Sequence, residues 1–280
     1  MLRPPYTRYD RLAVYYLDRR DVPSVDDPDF IGCWVEDDAA ILFFHRPKDD
    51  LVNDLCRTTD ARLIYRADLD YRDWEAGVTI GSFATGFLLV RPVWEAAGQA
   101  AGPGEIILDP SVIFGSGFHA TTRLCLETLE RVLTATDETI GSVIDLGTGT
   151  GLLAIAAAKL GAAHVTAVDV NPLACKVARR NVELNSCGSR VEVVQLDVGG
   201  VLPDLRGYDL VVANLYKGLL LRLFAEPRFW LAKMYMISGF IAAMEGELLA
   251  GLPADRLQVQ LRGAREMWRL WLLRNRRQEI

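Results

Sequence analysis

The spacing of hydrophobic residues changes about one third of the way along this 280-residue chain. In the first part, short apolar and β-branched runs alternate with aspartate-rich turns, a pattern that predicts strands. One helix is predicted from Asp49 to Cys56, behind an acidic start. The predicted strands are Leu12–Leu17, Ile31–Val35, Ala40–Phe44, Leu63–Tyr71 and Gly86–Val90, with the turn Glu36–Asp38 joining the second to the third. The pattern predicts a small α+β domain over residues 1–95.

From Glu105 onward, apolar runs alternate with segments of helical spacing, which predicts a mostly parallel sheet covered by helices on both faces. Helices are predicted at Leu152–Leu160, at Pro172–Leu184 and from about Phe240 to Ala250. Strands are predicted at Val143–Leu146, Val165–Val168, Val191–Gln195, Leu210–Ala213 and Tyr235–Ser238. The last two apolar runs, Leu257–Leu261 and Met267–Leu273, predict an edge hairpin that turns at residues 262–265.

Between the two patterns lies the stretch from Ala96 to Gly104, which consists of small and uncharged residues. Such a composition makes a poor core and is typical of a linker. The expected organisation is therefore a domain over residues 1–95, a linker over 96–104 and a second domain over 105–280.

Acidic charge is concentrated in the first part of the chain. Residues 1–100 carry 18 acidic and 12 basic side chains, whereas residues 101–280 carry 19 of each. An acidic domain favours a basic partner and disfavours direct contact with nucleic acid, because phosphates repel it. An ordinary solvated surface is the alternative interpretation.

The five cysteines are scattered without a C-x-x-C pair, and the three histidines are far apart, so neither a disulfide framework nor a metal site is expected. The first residues lack the apolar core of a signal peptide, and no run of about 18 apolar residues occurs. The expectation is a cytoplasmic protein with no membrane partner. Nothing in the pattern bears on the oligomeric state.

The clearest chemistry lies in residues 142–163, where a buried strand leads into a glycine loop and then into an alanine-rich helix. The loop glycines are Gly147, Gly149 and Gly151. Glycines let the backbone approach a ligand closely, and open α/β sheets bind ligands at the carboxyl ends of their strands. Dinucleotide folds require a third glycine where Leu152 stands. The closer spacing, preceded by Asp145, resembles that of methyltransferases, and an acid there suits the ammonium group of S-adenosylmethionine.

Two more aspartates follow predicted strands. Asp169 comes 22 residues after Gly147, where a carboxylate can accept both ribose hydroxyls of an adenosine. Asp197 closes the next strand, where methyltransferases place a contact to the adenine amino group. Each aspartate alone is at least as often a turn or cap residue. Together with the glycine loop, their spacing favours a cofactor site.

Residues 108–122, LDPSVIFGSGFHATT, resemble the signature of the bacterial methyltransferases that modify large-subunit ribosomal protein eleven (L11), the PrmA family. The resemblance continues through the glycine loop, AVDVNPLACKVARRNVELN and YDLVVANLYKGLL, and covers about residues 105 to 250. It implies an α/β fold, a Rossmann-like seven-stranded class I methyltransferase domain behind a small N-terminal α+β domain. It also implies S-adenosyl-L-methionine as cofactor and a basic ribosomal protein as substrate, methylated on lysine side chains or its N-terminal amine.

The resemblance also implies roles for individual residues. The positions that match the family's cofactor contacts are Thr122, Gly147, Asp169 and Asn214, and Phe114 matches an aromatic residue in the loop that covers the cofactor. Gly115 and Gly117 would let that loop hinge, and Thr121 or Thr122 would cap the next helix. Asn214 is the candidate catalytic residue, because its oxygen can hold the hydrogens of a neutral amine and orient the lone pair.

The chain departs from the family at two places. Tyr216–Leu219 stands where the family has Ala-Gly-Pro-Leu, and Lys217 either repels a cationic substrate or points into solvent. The N-terminal part also matches poorly. The alternatives are a methyltransferase of another protein or a small molecule, and a cofactor-binding protein with little catalysis. A nicotinamide dehydrogenase ranks last because of Leu152.

Overall fold

The computed structural model describes residues 1–36, 38–75, 77–135 and 139–276. Its first sheet has four antiparallel strands in the order β2-β3-β1-β4. The elements of this part are β1 (Arg11–Leu17), β2 (Phe30–Glu36), β3 (Ala39–Phe44), α1 (Asp49–Thr59), β4 (Leu63–Asp70) and α2 (Tyr71–Trp74). The predicted pairing of the second and third strands is confirmed, while Asp37 of their predicted turn lies outside the described residues.

One face of this sheet packs on α1, and part of the sheet lies against a helix of the second half of the chain. Val52 and Leu55 of α1 join the buried side chains Tyr15 and Phe44 in one cluster. Gly32 of β2 lies so close to Leu173 that a Cβ at position 32 would collide with the leucine side chain. The front sheet is therefore held directly against the part of the chain that carries the glycine loop.

A second, three-stranded sheet joins the two halves, with β6 in its centre. Its strands are β5 (Phe83–Ala84), β6 (Leu89–Pro92) and β7 (Glu105–Leu108). β6 and β7 pair in parallel, so the predicted linker over residues 96–104 lies in the connection between two hydrogen-bonded strands. The domain boundary there stays a prediction.

The predicted strand Gly86–Val90 is wrong at its start, because β6 begins only at Leu89. The buried carboxylate of Glu130 accepts hydrogen bonds from the backbone N–H groups of residues 86, 87 and 88, at 2.9, 3.0 and 3.0 Å. These N–H groups point to one side chain and cannot serve a strand ladder.

The third sheet has seven strands in the order β10-β9-β8-β11-β12-β14-β13, of which β13 and β14 run antiparallel to their neighbours. This arrangement confirms the predicted Rossmann-like fold. Its strands are β8 (Ser142–Leu146), β9 (His164–Asp169), β10 (Val191–Gln195), β11 (Leu210–Asn214), β12 (Met234–Ile241), β13 (Leu257–Arg265) and β14 (Trp268–Asn275). The accompanying helices are α3 (Ala120–Leu133), α4 (Leu152–Lys159), α5 (Pro172–Leu184), α6 (Lys217–Phe224) and α7 (Glu245–Ala250).

Two predictions in this half are wrong. The helix expected from Phe240 begins only at Glu245, because β12 continues to Ile241 and pairs with β14 beyond a bulge at Gly239. Phe240 is buried there against Trp271, with ring centroids 4.6 Å apart. The last hairpin turns at residues 266–267 and not at 262–265, since β13 and β14 remain paired as far as Arg265 and Trp268.

Helices cover both faces of the large sheet. The alanine-rich α4 is buried along most of its length, because its small side chains let it pack closely between α3, α5 and the sheet. α6 and α7 cover the opposite face together with the buried Phe229 and Trp230. No helix within the described ranges is long and apolar enough to cross a bilayer.

Candidate cofactor and acceptor site

The glycine loop folds back over the carboxyl end of β8. Gly147, Gly149 and Gly151 all have positive φ, at +72°, +56° and +83°. Residues with a Cβ atom rarely adopt this region. At Gly149 a Cβ would also collide with the carbonyl oxygen of Phe114. The loop therefore needs glycine there for its conformation and for its contact with the segment before α3.

We expect Gly149→Ala to lower the free energy of unfolding by roughly 2–3 kcal/mol, combining left-handed strain with displacement of a backbone neighbour. Affinity for S-adenosylmethionine should fall at least about tenfold, since the displaced loop is the proposed binding surface. Urea unfolding and titration calorimetry measure the two effects. Gly98→Ala is the matched control: its φ is +77°, and a Cβ added there would meet no described atom within 4 Å. Equal losses in both variants would rule out the collision as the cause.

Asp145 lies beneath the glycine loop and is only 1% exposed. Its Oδ2 accepts a hydrogen bond of 2.6 Å from Thr148 Oγ1, which ties the strand to the loop. Burial, with a smaller contribution from the charge of Asp169, raises the pKa of the Asp145 carboxyl to about 7. Direct contact of this carboxyl with a cofactor stays a prediction.

A raised carboxyl pKa means that the folded chain binds the proton more tightly than the unfolded chain. This group therefore stabilises the fold most at low pH, and that contribution is lost as the pH rises from about 4 to about 7. We expect Asp145→Asn to remove this slope, because the amide oxygen still accepts from Thr148 and does not titrate. Urea unfolding of both proteins across this range measures it. Two curves that stay parallel would contradict the assignment.

Asp169 ends β9 next to the glycine loop and is partly exposed. Its Oδ2 accepts from the N–H of Gly149 and its Oδ1 from the N–H of Asn171, each at 2.9 Å. Each carboxylate oxygen can accept more than one hydrogen bond. The side chain is thus held in position with acceptor capacity left for a ligand.

Asp197 lies two residues beyond the end of β10 and is exposed. Its Oδ1 accepts from the N–H of Gly199 at 2.9 Å, as in an aspartate turn. The structure thus shows the turn role at this position, and the contact with an adenine amino group stays a prediction.

The segment before α3 is fixed onto the glycine loop by Thr150. Thr150 N–H donates to the carbonyl of Phe114 at 3.1 Å, and Thr150 Oγ1 donates to the carbonyl of Gly115 at 2.8 Å. The Phe114 side chain is 52% exposed beside this junction. The two glycines of this segment before α3, Gly115 and Gly117, have φ of +107° and +93°.

The prediction that Thr121 or Thr122 caps α3 is wrong, because the cap is His119. Its Nδ1 accepts from the N–H of Thr121 at 3.3 Å and lies 2.8 Å from Thr121 Oγ1. Thr122 is buried, and its Oγ1 has no hydrogen-bond partner in the described part of the chain. A buried hydroxyl without a partner is costly, so Thr122 is available for a ligand at this position.

Asn214 ends β11 and is paired in the sheet with Ser238 of β12. Its Oδ1 is buried and likewise has no partner among the described residues. Lys217, three residues on, forms an ion pair of 2.8 Å with Glu247 of α7. The carboxylate of Glu247 thus offsets the charge of Lys217, and the effect of Lys217 on a cationic substrate stays a prediction.

Asn181 of α5 is a structural residue of the site that the sequence patterns did not single out. Its Oδ1 accepts from Asp109 N–H at 2.8 Å, and its Nδ2 donates to the carbonyls of Asp109 and Thr150 at 3.0 and 2.8 Å. One fully buried amide thus ties the residue that follows β7 to the glycine loop. An asparagine on the apolar face of a predicted helix is the signal that marks it.

The sequence that forms this site matches a known protein family. Residues 69–275 match the sequence profile of the family described as Ribosomal protein L11 methyltransferase (PrmA). The chain belongs to this family. The match spans the glycine loop, the segment before α3 and β11, so the resemblance seen in the sequence is confirmed.

Two relatives named Ribosomal protein L11 methyltransferase come from Exiguobacterium sp. and Pelotomaculum thermopropionicum. They are 40% and 41% identical over 185 and 184 residues, which cover 65% of this chain and 57% and 58% of theirs. The chain thus aligns with little more than half the length of these family members. A crystal structure of ribosomal protein L11 methylase from Lactobacillus delbrueckii subsp. bulgaricus is similar, with 27% identity and a TM-score of 0.59, and covers 70% of this chain and 98% of that one.

Proposed function

We propose that this chain transfers methyl groups from S-adenosylmethionine to amino groups of a protein, with ribosomal protein L11 as the first candidate substrate. The proposal is carried by two buried oxygens without a partner among the described residues, Thr122 Oγ1 and Asn214 Oδ1, which lie within the part of the chain that matches this family. Such atoms are rare in folded proteins and favour a ligand that supplies hydrogen-bond donors.

The residues present fit S-adenosylmethionine. The glycine loop offers backbone without side chains, and Asp169 keeps acceptor capacity suited to ribose hydroxyls. Thr122 would face the cofactor or the acceptor amine with its hydroxyl, and Asp197 would accept from the adenine amino group. When bound, the cofactor supplies a methyl group on a positively charged sulfur.

Asn214 would hold the acceptor. A lysine amine can be methylated only when it is neutral and its lone pair points at the methyl carbon. The unpartnered Oδ1 of Asn214 can accept an N–H of such an amine and so fix the direction of the lone pair. The lysine ammonium would become neutral by losing a proton to water. The protein would contribute by positioning the neutral amine.

The experiment that tests this proposal combines the full chain and S-adenosylmethionine with a labelled methyl group with either ribosomal proteins or a whole-cell extract, including its metabolites, from a strain that lacks L11 methylation. Mass spectrometry should show L11 gaining one or more methyl units. Labelling of another protein would keep the enzyme and discard L11. Cofactor binding without labelling of any ribosomal protein or extract metabolite would discard the proposal in favour of a binding protein with little catalysis.

Another acceptor is the second candidate, and a specific observation favours it. Residues 1–68 lie outside the family match, and they form most of the four-stranded sheet that packs beside the site. A different front sheet would present a different surface to the substrate. The same labelling experiment distinguishes the two, since it reports which protein or small molecule gains mass.

A further inference from the structure

An aromatic pocket lies where the front sheet, the segment before α3 and the last hairpin meet. Its volume is about 520 Å³. The rings that line it come from distant parts of the chain: Trp34 of β2, Trp74 of α2, Phe114 and Phe118 before α3, and Trp268 of β14. Phe114 also connects the pocket to the glycine loop, because its carbonyl accepts from Thr150 N–H.

One carboxylate in the pocket wall has only neutral partners. Glu75 Oε2 accepts from Ser116 Oγ at 2.8 Å, and Oε1 lies 3.4 Å from Tyr71 OH, which donates to the carbonyl of Ser111 at 2.5 Å. Burial raises the pKa of the Glu75 carboxyl, and no lysine or arginine of the described residues contributes to its shift or forms an ion pair with it. The Glu75 side chain is half-buried, and a carboxylate partly removed from water is stabilised by a nearby cation.

The other charge at the pocket is also negative. Glu266, at the turn of the last hairpin, lines the opening and is exposed. Its charge acts on the imidazole of His119, but burial has the larger effect and lowers the pKa of His119, so that ring is neutral at neutral pH. The pocket therefore combines aromatic rings, two carboxylates and no lining lysine or arginine among the described residues; the guanidinium of Arg123, outside the lining, lies 5.3 Å from the Phe118 ring centroid.

This combination selects a cation. The faces of tryptophan and phenylalanine attract an ammonium group, and methylated ammonium groups lose little hydration when aromatic rings enclose them. An anion would be repelled by Glu75 and Glu266, and a neutral apolar group would leave Glu75 without a counter-charge. Lysine supplies an ammonium on a long apolar stem, which suits a lining of aromatic rings and carboxylates.

We propose that this pocket binds a cationic lysine side chain of the protein substrate, as the ammonium or a methylated ammonium. The proposal rests on the proposed function, which makes the substrate a protein. The bound lysine is not the one undergoing transfer, because a carboxylate keeps an amine protonated whereas transfer needs a free lone pair. Trp34 lies outside the family match, so this part of the pocket belongs to the front sheet of this chain.

The test uses Nα-acetyl-Nε-trimethyllysine amide as probe and the full chain without cofactor, read by calorimetry and tryptophan fluorescence. We expect saturable binding, at least tenfold weaker binding of the neutral norleucine analogue, and at least a tenfold loss in Glu75→Gln. Trp34→Ala should lose affinity and Trp34→Phe should retain most of it. Glu183→Gln is the control, since that side chain is 69% exposed on α5.

Glu75→Gln keeps one oxygen that can accept from Ser116, and its NH2 group can donate to the Tyr71 oxygen, so it should fold; circular dichroism checks this. The proposal that the pocket binds a cation would be contradicted by any of three results: no probe binding, equal binding of the neutral analogue, or unchanged affinity in Glu75→Gln. With an active substrate, the KM for that protein should rise in Glu75→Gln while kcat holds; an unchanged KM would also overturn it. Probe binding without any methyl transfer would instead contradict the proposed function and still support the pocket as a binding site for a cationic side chain.

Discussion

Replacing Asn214 with alanine should slow methyl transfer by about 100-fold while changing the affinity for S-adenosylmethionine only a few-fold. The buried Oδ1 has no partner in the described part of the chain, so its proposed work is to orient the acceptor amine. Loss of that contact leaves the amine free to rotate away from the line of transfer. Because no internal hydrogen bond of Oδ1 is broken, the melting temperature should hardly fall.

Single-turnover kinetics and titration calorimetry separate these two quantities for Asn214→Ala. The control is Asn53→Ala, which removes an exposed amide from α1 beside the front sheet. If cofactor affinity and transfer rate fall by the same factor, Asn214 is a cofactor ligand and not an acceptor-positioning residue.

Asp169→Ala should weaken S-adenosylmethionine binding by about 100-fold. Each hydrogen bond to a charged group contributes about 1.5–3 kcal/mol, and the proposed carboxylate serves two ribose hydroxyls. The same change removes the acceptors for the N–H groups of Gly149 and Asn171, so the glycine loop also loses its anchor. Both effects act in the same direction on affinity.

Calorimetry again measures the loss, with Asp204→Ala as control. Asp204 is an exposed aspartate paired only with the neighbouring Arg206 in the described structure, and its loss should leave binding unchanged. Asp169→Asn distinguishes the two effects, because an amide keeps one oxygen acceptor but loses the charge. Unaltered affinity in Asp169→Ala would remove the ground for a cofactor site at this strand end.

The fold could be predicted largely from the sequence because local signals and tertiary contacts agree in most elements. Strand β8, the glycine loop and α4 follow one another without a break, and their apolar positions are those that become buried. The local sequence signal gave the wrong structure where contacts with a residue distant in the sequence determined the local conformation. The pattern assigned residues 240–241 to a helix, but pairing with β14 extends β12 through them. Glu130 likewise takes N–H groups that the pattern assigned to a strand.

The site was predictable in its loop and less so in its surroundings. Aspartates and glycines at strand ends lie in the sequence at fixed intervals, whereas the aromatic pocket draws on residues from position 34 to position 268. No spacing rule connects Trp34 with Glu75 and Trp268. The N-cap of α3 also escaped prediction, because a threonine pair is the usual capping signal and here His119 precedes it.

The parallel pairing of β6 with β7 has a consequence for how this protein could have acquired its front sheet. A recombination between residues 96 and 104 would separate two strands that complete each other, and the incoming half would need a matching edge. A crossover ahead of β5 would transfer the first sheet as a unit and leave the three-stranded sheet whole. The family match begins at residue 69, at the end of β4, the last strand of the first sheet. Chimaeras joined just ahead of β5 should therefore fold. Exchange of the front sheet at that point would change the surface offered to a substrate and leave the glycine loop unchanged.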